Sequence, residues 1–354
     1  QDVGLVAALD GEHLKGFTVL IGGGMGMTHG KTETYPRLAT PLCFAEVDEV
    51  LEIVETIVTV QRDYGDRTNR KHARMKYVVE ERGIEWFRQE LESRLGRAVQ
   101  APLPVSWQQS DDHLGWHRQE DGRWYLGLHI ENGRIKDGPA LQLRSGLRHV
   151  IEQFRPGIRL TAQQNMLLTD IPVSQRTDLS AELARYGIAT NPSEVGTSRF
   201  AMACPALPTC GLALAEAERV LPSVVRQIEA NLQELGLADE PLSIRMTGCP
   251  NGCARPYMGD IGFVGRTKDV YNVYLGGDRQ NTRMNALYAP SVRLEHLATT
   301  IRPLLALWKE QRIDQEAFGD FCNRVGFDYL HSQVEVPAFN GHAAHKPSQA
   351  EVYS

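Results

Sequence analysis

Four of the six cysteines fall into two tight pairs, and a chain that must bring both pairs to one place has few architectures open to it. Cys204 and Cys210 enclose Pro-Ala-Leu-Pro-Thr; after a gap of 38 residues, Cys249 and Cys253 enclose Pro-Asn-Gly. Four thiolates arranged in this way bind either one tetrahedral zinc ion or an iron–sulfur cluster. Structural zinc sites usually separate paired cysteines by two or four residues, whereas the separations here are five and three. A cubane spreads its iron corners over a larger body, so wider and unequal spacings suit it. Proline leaves no N–H to satisfy, and the remaining loop amides can point at cluster sulfur. The apolar periodicity from Gly211 to Leu235 predicts a long helix whose positive end would lie near the anionic site. Pro222 should kink or restart it. Zinc stays open on spacing alone. So do four buried free thiols, although two pairs with similar Pro-containing loops make coincidence a poor account.

With 42% apolar and 23% charged residues over 354 positions, the chain has material for two or three cored domains. A net charge of −6 argues against general nucleic-acid binding, which needs a basic surface. No run of about 18 apolar residues is present to span a membrane. The N-terminal QDVGLVAALDGEHLKG lacks the basic flank and apolar core of a secretory signal. The cytoplasm is the expected compartment, where disulfides are not the first explanation for cysteines. The chain begins with Gln1 and is expected to be a piece of something longer. The stretch from His331 to Ser354 reads as a loose polar tail with His342 and His345 solvated.

A strand in GFTVLIGGGMGMTHG runs into Gly22, Gly23, Gly24 and Gly26, which either turn tightly or let backbone approach a ligand. The dinucleotide fingerprint is not matched. Helices are predicted near Val47 to Tyr64, Asn69 to Arg82 and Glu85 to Leu95. In the basic run GDRTNRKHARMKYVVEERG, Arg67, Arg70, Lys71 and Arg74 recur at spacings of three and four and on a helix would form one cationic stripe, with Lys76 roughly opposite. WYLGLHIENGRI predicts a strand, a turn at Glu131-Asn132-Gly133 and a second short strand. LRSGLRHVIEQF reads as a helix, GIRLTAQQNMLLTDI as a strand, and Asp178 to Tyr186 as a helix. That β–β–α–β–α order fits an open sheet covered on one face by helices, a ferredoxin-like arrangement. Beyond Pro192, DIGFVG and VYNVYLGG read as strands and Val292 to Gln311 as a helix.

FAMACPALPTCGLALAEAERVLP and IRMTGCPNGCARPYMGDIGFVG closely resemble the two cysteine loops of the siroheme-dependent sulfite and nitrite reductase family. The filling between Cys204 and Cys210, the following AEAER and the presence of Gly252 are similar to the sulfite-reducing branch. GGGMGMTHG, QRDYGDRTNRKHARMKY, LGWHRQEDGRWYLGLHIENGRI, RLTAQQN and FGDF extend the resemblance over nearly all of residues 1–330. It implies an α+β fold: a siroheme/4Fe–4S α/β module plus a ferredoxin-like unit, one half of a two-fold repeated architecture. The implied boundaries are 1–98 for the C-terminal part of a first siroheme-binding module, 99–192 for the ferredoxin-like unit, 193–330 for the 4Fe–4S/siroheme module and 331–354 for a flexible tail.

The resemblance further implies that Cys204, Cys210, Cys249 and Cys253 hold a 4Fe–4S cluster. Cys253 would also ligate the siroheme iron and so act as the catalytic thiolate. Siroheme carries eight carboxylates, and burying them needs cationic partners. Arg67, Arg70, Lys71 and Arg74 are implied for that role, Arg74 aligning best, with Gln164, Asn165 and Asn251 as hydrogen-bond partners. Cys43 and Cys322 match no ligand position and are expected to be buried thiols, and His29 a local hydrogen-bonding residue. The implied activity is the six-electron reduction of sulfite to sulfide, fed by ferredoxin or a flavoprotein reductase, with LGWHRQEDG and GLHIENGRI closer to the ferredoxin-dependent members. The family's sulfite-clamping basic residues and first ferredoxin-like unit are expected upstream of Gln1, so the missing N-terminal half would be a partner and the isolated chain a poor catalyst. Nitrite reduction is the alternative within the family; a colourless zinc-binding scaffold is the alternative outside it.

Overall fold

The computed structural model describes residues 1–31, 33–105, 112–191 and 196–334. They fall into two units, one within Gln1–Gln108 together with Pro250–Gly252, the other within Gln109–Cys249 and Cys253–His345.

The first unit is built on an antiparallel sheet of β1 (Val3–Asp10), β2 (His13–Ile21) and β3 (Thr40–Glu46), in that order. Helix α1 (Val50–Tyr64) places Ile53, Ile57 and Val60 on one stripe, and these pack with Val19, Ile21, Leu42 and Cys43 of the sheet. Helices α2 (Met75–Arg82) and α3 (Ile84–Leu95) add Val78, Val79, Phe87 and Leu91 to the same core. Cys43 is therefore a packing residue, as expected.

The cationic stripe is corrected by the structure: residues 65–74 are not helical, and α2 begins only at Met75. The Asp66 carboxylate accepts from the backbone N–H groups of Thr68 and Asn69 at 2.8 and 2.9 Å, and the Asn69 side chain accepts from Lys71 N–H at 3.1 Å. Such short-range side-chain bonds offer the backbone an alternative to helix. Arg67, Arg70 and Lys71 thus ride on a turn.

In the second unit, β4 (Gly115–Arg118), β5 (Trp124–Leu128), β6 (Gly157–Leu160) and β7 (Met166–Ile171) form an antiparallel sheet in the order β4-β5-β7-β6. Helices α4 (Leu143–Phe154) and α5 (Arg176–Arg185) contribute Leu147, Val150, Leu179 and Leu183 to a core with Leu126, Leu128 and Leu168. The helices-on-a-sheet reading holds, with two corrections. No strand directly follows the Glu131–Gly133 turn; β5 pairs with β4, which precedes it, and with β7. GIRLTAQQNMLLTDI is not one strand but a hairpin, β6 pairing back on β7. It turns at Gln164, whose φ is +68°, with Thr161 N–H donating to Asn165 O at 3.0 Å.

The same unit carries a five-stranded sheet in the order β12-β11-β10-β9-β8, formed by β8 (Ala201–Ala203), β9 (Ile244–Thr247), β10 (Ile261–Thr267), β11 (Val270–Leu275) and β12 (Ala286–Arg293). β8, β9 and β10 run parallel; the rest are antiparallel. Helices α6 (Leu221–Glu234), α7 (Leu297–Gln311), α8 (Phe318–Val325) and α9 (Phe327–Gln333) cover the core with Val225, Ile228, Ile301, Leu304, Phe321 and Cys322. The helix expected from Gly211 is corrected: α6 starts at Leu221, with Pro222 in its first turn. The amides of Leu214 and Ala215 are drawn to Gly248 O instead, and proline has a fixed φ that favours a helix start. No dipole end therefore lies at Gly211. Among the described residues no helix is long and apolar enough to cross a membrane. His342 and His345, with the rest of 335–354, lie outside the described residues.

Trp308 is fully buried and donates from Nε1 to Glu316 O at 2.9 Å. Trp308→Ala should cost about 3–5 kcal/mol, read as a lowered urea midpoint; an unchanged midpoint would remove this residue from the core's support.

Candidate metal centre

Parallel pairing of β8 and β9 delivers both cysteine loops to one end of a sheet. Ala203 is in register with Met246. Cys204 follows β8 directly and its N–H donates to Met246 O at 3.2 Å; Cys249 lies two residues beyond the end of β9. Gly248 joins the loops. Its N–H donates to Cys204 Sγ at 3.4 Å, and its carbonyl accepts from Leu214 and Ala215 at 2.8 and 3.0 Å. A Cβ there would stand 2.5 Å from Ala215 O and 2.6 Å from Ala206 Cβ, so only glycine fits. Within the first loop, Cys210 N–H donates to Ala206 O at 2.7 Å and Ala213 N–H to Cys210 O at 3.2 Å. In the second, Gly252 turns the chain with φ +66°.

Cys204 and Cys249 are buried, Cys210 is half-buried and Cys253 is exposed. Burial pushes the Cys204 thiol up to about 11; the Gly248 N–H opposes this, while the thiols of Cys253 and Cys249 reinforce it. Three of the four sulfurs thus feel one another, and a cation or cationic cluster at their centre would be needed to make them thiolates at neutral pH. Among the described residues, no three His, Cys, Asp or Glu side chains converge tightly enough for a single metal ion. A four-iron body, larger than one ion, asks for a wider ring, and four cysteines at one end of a sheet suit it.

The other expected site residues are placed as follows. In the first unit, Arg67, Arg70, Lys71 and Arg74 are exposed. Arg67, Arg70 and Lys71 have no acidic partner at ion-pair distance among the described residues, which leaves them available to carboxylates. Arg74 precedes α2, pairs with Asp2 at 2.7 Å and donates to Gly23 O at 3.3 Å. A Cβ on Gly24 would meet its guanidinium at 2.7 Å. Asn251 is exposed, and its neighbour Pro250 accepts from Met27 N–H at 3.0 Å, placing this tripeptide against the glycine turn. In the second unit, Gln164 donates from Nε2 to Ala203 O at 2.8 Å, the residue before Cys204, and its Oε1 is buried without a partner. That orphaned oxygen is one a bound group could satisfy. Asn165 is spent on the scaffold: its Oδ1 accepts from Ile130 N–H at 2.9 Å and its Nδ2 donates to Asp112 at 2.8 Å.

Sequence reasoning passed over Lys76 and Arg245. Lys76 is buried and its ammonium donates to the carbonyls of Gly24, Gly26 and Tyr35, so it holds the glycine turn. Burial, then the Arg74 charge, lowers it to about 8. Its position opposite the expected stripe was the available signal, and it pointed inward.

The family described as "Nitrite and sulphite reductase 4Fe-4S domain" matches residues 1–99 and 195–340, and the "Nitrite/Sulfite reductase ferredoxin-like half domain" matches 117–186. The chain is 46% identical over 331 residues to a "Sulfite reductase [NADPH] hemoprotein beta-component" of Methylobacterium nodulans, covering 92% of this chain and 54% of that protein. It is also 46% identical over 331 residues to a "Sulfite reductase [ferredoxin]" of Synechococcus elongatus, covering 93% and 53%. The solved structure of the Mycobacterium tuberculosis NirA protein matches with a TM-score of 0.79 at 27% identity, over 93% of this chain and 61% of that one. The chain therefore spans about half the length of the curated relatives it matches. The expected family, the mixed fold with a ferredoxin-like part and the 4Fe–4S domain all stand.

Gly248→Ala should lower iron per chain several-fold with the far-UV circular dichroism retained, while Gly211→Ala, which has nothing within 4 Å of an added Cβ, should load fully. Full loading of Gly248→Ala would show that the loops do not depend on this contact.

Proposed function

The chain belongs to the nitrite and sulphite reductase family, and on that premise we propose that it carries the electron-delivering centre of a sulfite reductase. The observation that carries this reading is the pair of cysteine loops at the common end of two parallel strands, clipped together by Gly248. Cys204, Cys210, Cys249 and Cys253 would ligate the cluster. Cys253, the exposed member, is the one free to present its sulfur to a second iron. With both cofactors bound, the centre held by these cysteines would supply electrons to an anion: sulfite takes up six electrons and six protons and leaves as sulfide and three waters.

The chain's own residues contribute binding and order. Gln164 fixes the turn between β6 and β7 to the strand end that launches Cys204. Arg67, Arg70 and Lys71 offer unpaired cations to siroheme carboxylates, and Arg74 joins them at the cost of its Asp2 partner. Asn251 and Gln164 would serve as polar contacts to a cofactor, while Asn165 holds the Gln164 turn in place. The donor is a redox protein, with ferredoxin favoured over a flavoprotein reductase and the cytoplasm as the setting.

Purified chain should be coloured, contain iron and acid-labile sulfide, and yield extractable siroheme. Ser at any of 204, 210 or 249 should lower iron several-fold. Cys253→Ser should uncouple the cluster from siroheme in electron paramagnetic resonance. Colourless protein holding zinc would overturn the reading. Faster turnover with nitrite than with sulfite, in a reduced-dye assay, would move the chain to the other branch.

A further inference from the structure

β9 carries a residue that an apolar strand does not call for. Ile244 and Met246 are fully buried in the core beneath the sheet, and Arg245 between them faces the other way yet is only 3% exposed. Its Nη2 donates to Asn281 Oδ1 at 2.7 Å and its Nη1 to Arg255 O at 3.3 Å, while Nε is buried without a partner. Thr247, on the same face, also has a buried hydroxyl without a partner. No carboxylate lies at ion-pair distance from Arg245 among the described residues. Asp260 acts on it only through its field, since its oxygens are taken by Ser243 and by Gly319 N–H. A second guanidinium, half-buried Arg255, donates to Ala162 O at 2.8 Å and lies 3.8 Å from Met202 Sδ. Asp112 acts on Arg255 through its field, but accepts from Thr161 and Asn165. A half-buried cation therefore lies beside a buried one, and the Arg255 charge adds to the cost of burying Arg245.

Their place in the chain says what could offset that cost. Arg245 pairs in register with Met202, two residues before Cys204; it is four residues before Cys249; and it grips the carbonyl two residues after Cys253. With 3.8 Å between successive Cα atoms, its guanidinium lies no farther than about 13 Å from the Cys253 Cα. Three of the four cysteines bracket it.

We propose that Arg245, assisted by Arg255, is the buried counter-charge of the iron–sulfur cluster, raising its midpoint potential by stabilising the more negative, reduced state. The inference rests on the four cysteines holding that cluster. At roughly 10 Å and an effective dielectric constant of about 20, one unit charge shifts a one-electron equilibrium roughly tenfold, which is about 59 mV. Asn281 and the Arg255 carbonyl act as anchors that keep the guanidinium from turning to solvent. The role is one of position: no proton moves, and Arg245 needs to touch neither substrate nor iron.

The test is a redox titration of the cluster-loaded chain followed by electron paramagnetic resonance. In Arg245→Gln the midpoint should fall by about 59 mV, the equivalent of tenfold, and in Arg245→Lys, which keeps the charge, by much less. An unchanged midpoint in the Gln variant overturns the proposal. An equal fall in both variants does the same, by assigning the effect to packing. Should Arg245→Gln fail to fold, Arg255→Gln replaces it: a fall supports the counter-charge and an unchanged midpoint overturns it. Wild-type chain that binds no iron would instead sink the cluster assignment itself, before any variant is compared.

Discussion

The N–H of Gly248 donates to Cys204 Sγ while its carbonyl holds the amides of Leu214 and Ala215, so one residue with no side chain fastens two loops separated by a long excursion through α6. The register of β8 against β9 puts the loops side by side, and Gly248 then closes the remaining gap. Other glycines serve the same convergence. A Cβ on Gly265, in β10, would stand 2.5 Å from the Gly248 carbonyl, so the next strand in the sheet also has to give way. Backbone approaches that close are made only where side chains are absent.

Around this junction the fold buries charges and potential charges in ways that make sense only jointly. The Cys204 thiol is pushed up to about 11 by burial, and Arg245 is pushed down to about 9 for the same reason. Each shift marks a group held away from water without a counter-ion. A buried thiolate set and a buried guanidinium are each unfavourable alone, yet opposite in sign. In the first unit the same economy recurs in milder form: Lys76 is buried with three carbonyls around its ammonium, a purely dipolar cage that fixes the glycine turn.

Much of the scaffold was legible because long periodic segments announce themselves. The stripes of α1 and α4 and the β-rich runs of β10 and β11 were read close to their observed limits. The misses came from local bonds that periodicity does not register. Asp66 and Asn69 captured the amides that a helix through Arg70 would have used. The run from Gly157 to Ile171 looked continuous, but Thr161 and Asn165 bond to each other across Gln164, whose left-handed conformation folds the strand back. Arg245 sat in plain view inside IRMTGC, where a single charge in a short strand gives no hint of whether it faces solvent or interior.

By itself the sequence determined the kind of chemistry: two close cysteine pairs with Pro- and Gly-rich fillings are a statement about ligands, and ligand identity is a covalent property of the chain. It determined most helices and strands for a similar reason, since periodic burial is written into adjacent residues. Only the tertiary structure decided which strands are neighbours, and with that the meeting of Cys204 with Cys249. It also decided which cations face inward, Lys76 and Arg245, and which, such as Arg70, remain at the surface. Those outcomes depend on pairing and burial between residues far apart in the chain, and no local pattern encodes them.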